Sequence, residues 1–304
     1  MNESPASAAA SPSRAPRLGR PRAARRATQG PSPFVKWAGG KGRLLAQLTP
    51  LLPPGVDRMR HVEPFVGGGA LFFARRPERA LLCDVNASLI GTYVAVRDAP
   101  HAVLAALERL ADAHDEATYY AVRDRYNDRA QAPAYDGSPS HAAMFIYLNK
   151  TCFNGLHRVN SRGEFNVPVG RYDNPRIVDT DGLLAASHAL AGADLEHCSF
   201  DAMVERARPG DFVYFDPPYA PVSETASFTS YASGGFGFDA QVLLRDVFAE
   251  LDRRRCKLML SNSDVPAIRA LYEGFRIHEV QAPRAINANV RRRGPVRELV
   301  ICNY

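Results

Sequence analysis

The 304-residue sequence is poor in cysteine and tryptophan and contains no long apolar run. The five cysteines are odd in number, scattered along the chain and without a C-x-x-C pair: Cys83, Cys152, Cys198, Cys256 and Cys302. This pattern argues against a disulfide framework and a zinc site, and it favours a reducing cytoplasm. No apolar run approaches the roughly 18 to 20 residues that span a bilayer, so we expect no membrane segment.

The excess of positive charge belongs to the N-terminal end and not to the whole chain. The formal net charge is +6, but residues 1–32 hold six arginines and one glutamate, which accounts for +5. This tail is rich in Ala, Ser, Pro and Arg and lacks hydrophobic periodicity, so we predict that it is disordered. A salt-sensitive DNA tether and a dispensable segment both remain open as its role.

Beyond the tail, short apolar runs alternate with amphipathic segments, which is typical of an α/β protein. Strands are predicted at residues 60–62, 80–83, 194–197, 212–215, 257–260, 275–280 and 298–302. Helices are predicted at residues 43–48, 70–75, 87–97, 101–112, 117–129, 141–149, 181–190, 202–207 and 239–252, with another from Pro266. The long helical stretch before residue 194 is an insertion into the alternation of strands and helices.

The tetrapeptide Asp216-Pro217-Pro218-Tyr219 directly follows the predicted strand at 212–215. Open α/β sheets bind ligands at the carboxyl ends of their strands, so Asp216 is expected at a binding edge. The two prolines make the turn rigid and carry no N–H, which leaves carbonyl oxygens free as acceptors. Asp216 and the Pro217 carbonyl can then accept the two N–H of an aromatic amine, while Tyr219 stacks on its ring. Taken alone, a strand that ends in a Pro-Pro turn capped by Asp216 explains the tetrapeptide equally well.

A glycine loop at residues 62–69 (VEPFVGGG) joins a predicted strand to a predicted helix. Such a loop lets backbone approach a ligand closely, with N–H groups at the start of the helix. Asp84 follows the next strand, at the place where a carboxylate binds the vicinal hydroxyls of a ribose. Together they predict a nucleoside cofactor, with a plain tight turn as the alternative. The G-x-G-x-x-G pattern of dehydrogenases is not met.

Residues 149–172 form a predicted loop in which arginines, amides and aromatics interleave with turn residues. Residues 141–176 contain five basic and two acidic side chains. Arginine suits guanine, asparagine suits adenine and apolar side chains suit the thymine methyl, so the loop is predicted to read base edges. A solvated loop is the alternative, although the length of the segment favours a function. An arginine-rich loop at residues 284–297 is predicted to bind phosphate. A loop at residues 220–237 is predicted to form a lid over the site.

These motifs together resemble the Dam-type DNA adenine methyltransferases, the D12 class with a DPPY motif, which depend on S-adenosylmethionine. The resemblance covers residues 33–304 and rests on five motifs in the family's order: residues 34–41 (FVKWAGGK), 62–69, 84–86, 153–172 and 216–219. It implies an α/β class I methyltransferase fold, a Rossmann-like doubly wound mixed sheet with an inserted helical target-recognition domain. The implied division is a disordered basic tail at 1–32, a catalytic S-adenosylmethionine-binding domain at 33–88 and 193–304, and a DNA target-recognition domain at 89–192.

The resemblance also implies roles for single residues. Catalysis is assigned to Asp216, Pro217, Pro218 and Tyr219, with no metal and no covalent intermediate. Contacts with S-adenosylmethionine are assigned to Trp37, Lys41, Phe65, Gly67, Gly69, Asp84 and Asp216, with Asp84 on the ribose. Contacts with DNA are assigned to Lys36, Phe153, Asn154, Leu156, Arg158, Pro168, Arg171 and Tyr172. Among the DNA contacts, Arg158 and Lys36 would each read a guanine.

The implied function is methyl transfer to the exocyclic amino group of adenine in duplex DNA, expected at GATC, by base flipping and direct attack. The enzyme is expected to be a cytoplasmic, nucleoid-associated monomer of bacterial or phage type. A cognate restriction endonuclease as partner, or an orphan enzyme without one, remains open. The alternatives are a cytosine exocyclic-amine methyltransferase, in which serine often replaces the aspartate, and a DNA-binding protein on an inactive scaffold. An RNA methyltransferase is disfavoured because loops that read a major groove suit duplex DNA.

Overall fold

The structure is a computed structural model that describes residues 30–130, 137–221, 236–282 and 296–304. Seven strands of these ranges form one sheet. They are β1 (His61–Glu63), β2 (Ala80–Asp84), β3 (Ala193–His197), β4 (Phe212–Phe215), β5 (Lys257–Ser263), β6 (Arg276–Ala282) and β7 (Val296–Cys302). Each overlaps a strand predicted from the sequence, so those predictions are confirmed.

The strands lie in the order β3-β2-β1-β4-β5-β7-β6. Strands β1 to β5 pair in parallel, and β7 runs antiparallel to both of its neighbours. The order reverses between β1 and β4, and the carboxyl ends of these two strands flank the point where open α/β sheets bind ligands. The mixed α/β sheet confirms the predicted class I methyltransferase fold.

The described ranges also contain ten α-helices. In the described ranges they are α1 (Leu45–Leu48), α2 (Ala70–Arg75), α3 (Ala87–Asp98), α4 (Pro100–Asp112), α5 (Glu116–Ala130), α6 (Pro139–Thr151), α7 (Thr180–Leu190), α8 (Met203–Arg206), α9 (Phe238–Arg253) and α10 (Pro266–Leu271). Helices α3 to α7 follow one another between β2 and β3, where the sequence predicts a helical insertion. They share one apolar cluster with Phe34, Val35 and Val66, so the insertion packs directly against the glycine loop.

Local signals set where several helices begin. The side chain of Asn86 accepts the N–H of Leu89 at 2.9 Å at the start of α3. Asp179 does the same for Gly182 at 3.3 Å at the start of α7. Pro139 occupies the first turn of α6, where its missing N–H leaves no bond unmade. These caps are short-range features, which is why the predicted boundaries lie within two residues of the observed ones for these helices.

Strand β5 departs most from the prediction, because it continues three residues past the predicted end at Leu260. The extra residues, Ser261, Asn262 and Ser263, are polar but almost completely buried. Their backbone pairs with β7, and their side chains find partners, such as the Tyr214 hydroxyl 2.9 Å from Ser261 Oγ. A pattern of apolar residues could not reveal this extension, since only the fold supplies those partners.

Several predicted features lie outside the described residues. They are the tail up to residue 29, residues 222–235 of the predicted lid and residues 283–295 of the arginine-rich loop. Residues 131–136, between α5 and α6, lie outside the described ranges too. Among the residues that are described, no helix is both long and apolar enough to cross a membrane. The same ranges contain no group of three or more His, Cys, Asp or Glu side chains that could hold a metal ion.

A largely buried ion pair joins the beginnings of β1 and β4. Arg60 Nη2 lies 2.7 Å from Asp211 Oδ2, and the same guanidinium donates to the carbonyl of Arg206 at 2.8 Å. Asp211 also accepts the N–H of Arg208 at 2.8 Å. The two side chains are 13% and 7% exposed, so removing the cation would leave a buried carboxylate without its charge partner.

We therefore expect Arg60→Ala to lower the free energy of unfolding by about 3 kcal/mol. Urea denaturation would measure this change. Arg245→Ala is the matched control, because its partner Asp246 is 60% exposed and such a pair contributes less than about 1 kcal/mol. An equal loss in both variants would contradict the role given to the buried pair.

Candidate active site

The carboxylate of Asp216 lies directly after β4, at the switch point of the sheet. Its Oδ1 atom is 2.7 Å from Nζ of Lys41. Lys41 is buried, with 5% of its surface exposed, and its ammonium also donates to the carbonyl of Gly39 at 2.7 Å. Lys41, the last residue of the glycine-rich segment 37–41, is thereby bonded to Asp216, the first residue of the tetrapeptide.

The Asp216 carboxyl is a weak acid for an aspartate. Burial raises the pKa of Asp216 to about 6, and the negative charges of Glu63 and Glu298 act in the same direction. The ammonium of Lys41 opposes the rise by its charge and its hydrogen bond. At neutral pH the group is therefore ionised and able to accept hydrogen bonds, and it becomes protonated in mildly acidic solution.

Buried amides hold the backbone that follows the tetrapeptide's prolines. Gln241 Nε2 donates to the carbonyl of Pro218 at 3.0 Å, and Asn262 Nδ2 donates to Gln241 Oε1 at 2.9 Å. Asn262 Oδ1 accepts the N–H of Ala220 at 3.1 Å, while Ser263 Oγ donates to the Ala220 carbonyl at 2.7 Å. Each polar backbone group of Pro218 and Ala220 therefore has a partner, which makes this turn rigid.

Two acceptors beside this scaffold stay available. Within the described ranges, no hydrogen bond reaches the carbonyl oxygen of Pro217 or the Oδ2 atom of Asp216. The two groups belong to adjacent residues, and the first proline is buried while the second is exposed. The arrangement can receive two N–H groups from one ligand nitrogen.

Tyr219 is fixed at both its hydroxyl and its ring. Its hydroxyl donates to Oε2 of Glu298 on β7 at 2.7 Å. Nζ of Lys41 lies 4.6 Å from the ring centroid, a cation–π distance. Burial holds the pKa of Tyr219 far above its usual range, so the hydroxyl keeps the proton that it donates.

The glycine loop lies directly against the indole of Trp37. Gly67 and Gly69 have φ values of +47° and +66°, which favour glycine. A Cβ added to Gly67 would lie 2.6 Å from Cδ1 of Trp37. The hydroxyl of Tyr93 donates to the Gly67 carbonyl at 3.0 Å. The loop backbone is therefore packed tightly against the indole, and a side chain at position 67 would displace it.

Asp84, at the end of β2, holds the same loop from the other side. Its Oδ2 accepts the N–H of Gly67 at 3.1 Å, and its Oδ1 accepts the N–H of Asn86 at 3.0 Å. Burial raises the pKa of Asp84, and these N–H groups oppose the rise. Each oxygen has a lone pair beyond the bond that it accepts, so the carboxylate can still bind two neighbouring hydroxyls.

Phe65 forms an aromatic cluster on the loop at the end of β1. Its ring centroid lies 5.4 Å from that of Phe200 and 5.7 Å from that of Phe236. The Phe200 and Phe236 centroids are 5.6 Å apart. The half-buried ring of Phe65 is therefore held in place and offers an apolar surface beside the glycine loop.

His157 packs against Trp37 although no motif gave it a role. The two rings stack with centroids 5.3 Å apart, and Phe145 lies 5.6 Å from His157. Burial lowers the pKa of His157 to about 4, so the ring is neutral at neutral pH. Its Nε2 atom is 3.5 Å from Nδ2 of Asn86. His157 therefore connects the predicted cofactor residues with the loop that carries Arg158.

The loop at 149–172 begins with a tight turn after α6. Phe153–Gly155 forms a 3₁₀ turn in which Asn154 has a φ of +55°. The N–H of Phe153 donates to the carbonyl of Pro168 at 2.9 Å, which closes the loop on itself. Phe153 is 47% exposed, and Asn154 and Pro168 are exposed too. These side chains are accessible to a large ligand.

Arg158 lies at the base of a short hairpin. Val159 and Phe165 form an antiparallel bridge, and the Arg158 Nε donates to Asn166 Oδ1 at 2.7 Å. Asn127 of α5 accepts the N–H of Phe165 at 2.8 Å and donates to its carbonyl at 3.1 Å. The helical insertion thus positions the hairpin, and the hairpin orients an exposed guanidinium.

Lys36 joins this loop to the segment that carries Trp37. Its N–H donates to Asn149 Oδ1 at 2.7 Å, and Asn149 Nδ2 donates to its carbonyl at 2.8 Å. The Lys36 ammonium lies 4.8 Å from the ring centroid of Tyr172. Lys36, Arg171 and Tyr172 are exposed, whereas Leu156 is half-buried against the helical core. Lys36 and Tyr172 are therefore neighbours, and Leu156 offers only part of its surface.

The residues that hold the site received no role from the sequence: Tyr93, Asn149, His157, Gln241, Asn262 and Glu298. Four of them, Tyr93, Asn149, Gln241 and Asn262, have at most 3% of their surface exposed. One feature of the sequence could have identified two of these residues. Asn149 and Asn262 each follow an apolar run, where a polar side chain needs a buried partner.

Residues 37–286 match the model of the D12 class N6 adenine-specific DNA methyltransferases. A type II methyltransferase of Lactococcus lactis subsp. cremoris is 41% identical over 275 residues, 90% of this chain and 95% of that protein. A type II methyltransferase of Methanocaldococcus jannaschii is 40% identical over 90% of this chain and 99% of its own. A DNA adenine methylase of Vibrio cholerae is 35% identical over 88% of this chain and 94% of its own.

Gly67→Ala should displace the Trp37 indole and weaken S-adenosylmethionine binding by about tenfold, or about 1.4 kcal/mol. Trp37 is the single tryptophan of the chain, so its fluorescence reports both the displacement and the binding. Gly274→Ala is the matched control, because Gly274 also has a positive φ of +95° but no atom within 4 Å of an added Cβ. Unchanged affinity in Gly67→Ala would show that the contact between Gly67 and the indole is not needed for binding.

Proposed function

The chain belongs to the D12 class of N6 adenine-specific DNA methyltransferases, and we propose that it modifies the adenine of GATC by base flipping and direct attack. It is an enzyme that transfers a methyl group from S-adenosylmethionine to adenine in DNA, as the motifs predict. The alternative of cytosine methylation is not retained, because the family is adenine-specific. The observation that carries the proposed chemistry is the acceptor pair of Asp216 and Pro217, which has no hydrogen-bond donor among the described residues and lies on a rigid turn.

The residues of the proposed cofactor pocket fit S-adenosylmethionine. The backbone of Gly67 packs against Trp37 and fixes the indole, and Asp84 keeps acceptor capacity for the two ribose hydroxyls. Gly69 lets the backbone approach closely, and Phe65 supplies an apolar wall. When bound, S-adenosylmethionine supplies a methyl group that its sulfonium already activates.

Asp216 and the Pro217 carbonyl would accept the two N–H of the flipped adenine's exocyclic amine. Accepting both draws the nitrogen lone pair out of conjugation with the ring, which makes the nitrogen a nucleophile. Tyr219 would stack on the base, and Pro218 would keep the turn rigid. The pKa of Asp216, about 6, suits a group that stabilises positive charge on the attacking nitrogen and can hold the proton it releases.

We propose that side chains of the loop at 149–172, here the recognition loop, read the DNA together with Lys36. Arg158 would be bidentate to one guanine, and Lys36 would contact the other. Leu156 and Pro168 would meet the thymine methyl. Phe153 and Asn154 would fill the gap or orient the flipped base, while Arg171 and Tyr172 would contact the backbone. The support is that all of them except Lys36 lie on this loop, which the helical insertion holds, and that Lys36 lies against Tyr172 of the same loop.

We further propose that residues 33–88 and 193–304 bind the cofactor and catalyse, and that residues 89–192 recognise the target. One chain then carries both the catalytic and the recognition groups, so we propose that the enzyme acts as a monomer. We propose separately that it acts in the cytoplasm. The tail at 1–32, with its six arginines, is proposed to add salt-sensitive, sequence-independent affinity for DNA. Methyl transfer itself requires no restriction endonuclease, so the proposed activity does not depend on such a partner.

Cells without adenine methylation of their own should acquire N6-methyladenine at GATC when they express this protein. Sequencing that detects modified bases would map the sites. The Asp216→Ala variant should leave the same DNA unmodified, because it loses the carboxylate acceptor. Methylation confined to another sequence would refute the proposed target while leaving the chemistry intact. No methylation by the wild type on any sequence would refute the proposed function.

Arg158→Ala should relax discrimination at one guanine and cost about 1 to 3 kcal/mol on the cognate site. Rates on GATC and on sites with a single changed base would measure this. Arg162→Ala is the control, because Arg162 lies in the same hairpin but bonds to Glu164, 2.8 Å away. An equal loss on cognate and altered sites would contradict base reading by Arg158.

A further inference from the structure

Glu298 contacts the catalytic tetrapeptide from a strand outside every sequence motif. It lies near the start of β7, opposite Ser263 of β5, and its Oε2 accepts the hydroxyl proton of Tyr219 at 2.7 Å. Because β7 is antiparallel to β5, its first residues lie at the carboxyl edge of the parallel strands. The fold thereby brings a carboxylate from the end of the chain to the substrate side of the site.

The charges around this contact are unbalanced. The carboxylates of Glu63 and Glu298 both act on Asp216, and the ammonium of Lys41 is the cation that opposes them. In the part of the chain that the structure describes, Glu298 makes no ion pair with a lysine or arginine. Its neighbour Arg297 pairs instead with Asp264 and Glu279.

In the described residues, the Glu298 carboxylate accepts a hydrogen bond from the hydroxyl of Tyr219, which burial keeps protonated. A hydrogen bond between a neutral donor and an ionised acceptor is among the stronger kinds, so it holds the ring firmly. One face of the same ring lies under the ammonium of Lys41, 4.6 Å from the centroid.

We propose that Glu298 is a positioning residue for methyl transfer, which holds the Tyr219 ring in the plane against which the flipped adenine stacks. This inference rests on the proposed function of the tetrapeptide. It adds a residue from the last strand to a site that the motifs place between residues 37 and 219. Glu298 acts through Tyr219 and does not touch the reacting atoms.

The first test compares Glu298→Ala, Glu298→Gln and Tyr219→Phe on a GATC duplex. Glu298→Ala should lower kcat by about tenfold, because the ring loses a hydrogen bond to a charged group. The affinity for S-adenosylmethionine, measured by Trp37 fluorescence, should stay as in the wild type. Glu298→Gln retains an acceptor oxygen, so it should recover most of kcat. In the Tyr219→Phe background, Glu298→Ala should have no further effect on kcat.

The second test uses pH, which a merely structural role would not change. The charged groups that act on Asp216 are Lys41, Glu63 and Glu298, and the two carboxylates raise its pKa. The neighbouring hydroxyls of Tyr214 and Tyr219 stay protonated because burial raises the pKa of both. Because a like charge disfavours ionisation, replacing Glu298 with neutral glutamine should lower the pKa of Asp216. The acid limb of the kcat profile, near pH 6 in the wild type, should then move to lower pH. Glu279→Gln removes a charge from the neighbouring strand β6 and should leave the profile unchanged.

Two results would overturn the role of Glu298 while the wild type still methylates adenine. One is a kcat for Glu298→Ala equal to that of the wild type. The other is an equal loss in the Tyr219→Phe background, which would show that Glu298 does not act through Tyr219. Failure of the proposed function is distinguished from both, because the wild type itself would then leave adenine unmodified. A duplex with 2-aminopurine at the target position adds a reading of base flipping for every variant, independent of methyl transfer.

Discussion

The ion pair between Lys41 and Asp216 is the contact on which the rest of the site depends. A carboxyl at the tip of a buried strand loses hydration, and burial alone would favour its protonated form. The ammonium 2.7 Å away opposes that effect, and with a pKa of about 6 the group is ionised at neutral pH. The same ammonium lies over Tyr219 and bonds to the carbonyl of Gly39. One buried cation therefore sets the acceptor, the stacking surface and the turn that follows Trp37.

The topology of the sheet explains why these groups meet. Strand β1 pairs in parallel with both β2 and β4, so the ends of the three strands lie side by side. The glycine loop follows the first, Asp84 ends the second and Asp216 follows the third. The antiparallel strand β7 adds Glu298 at the same edge. A cofactor with a ribose and a planar base can thus be held across neighbouring strand ends, as in other open α/β sheets.

The loop at 149–172 is tied to the segment that carries Trp37 by two contacts. Asn149 bonds to both the N–H and the carbonyl of Lys36, and His157 stacks on Trp37. Both side chains are neutral, so the connection does not depend on pH near neutrality. The proposed base readers and the proposed cofactor residues therefore pack against one another. Displacement of the indole would shift His157 and, with it, the hairpin of Arg158.

The sequence by itself determined the elements of the fold and the rigid motifs. Strand β4 and helix α2 have their predicted bounds, because hydrophobic periodicity and turn residues act over a few neighbouring positions. Only the tertiary structure decided which residues hold the motifs in place. The bond from Tyr219 to Glu298 spans 79 residues and that from Asn149 to Lys36 spans 113. Such pairs follow from strand order and helix packing, which a local pattern does not contain, so buried polar side chains such as Gln241 and Asn262 acquire their roles only in the folded chain.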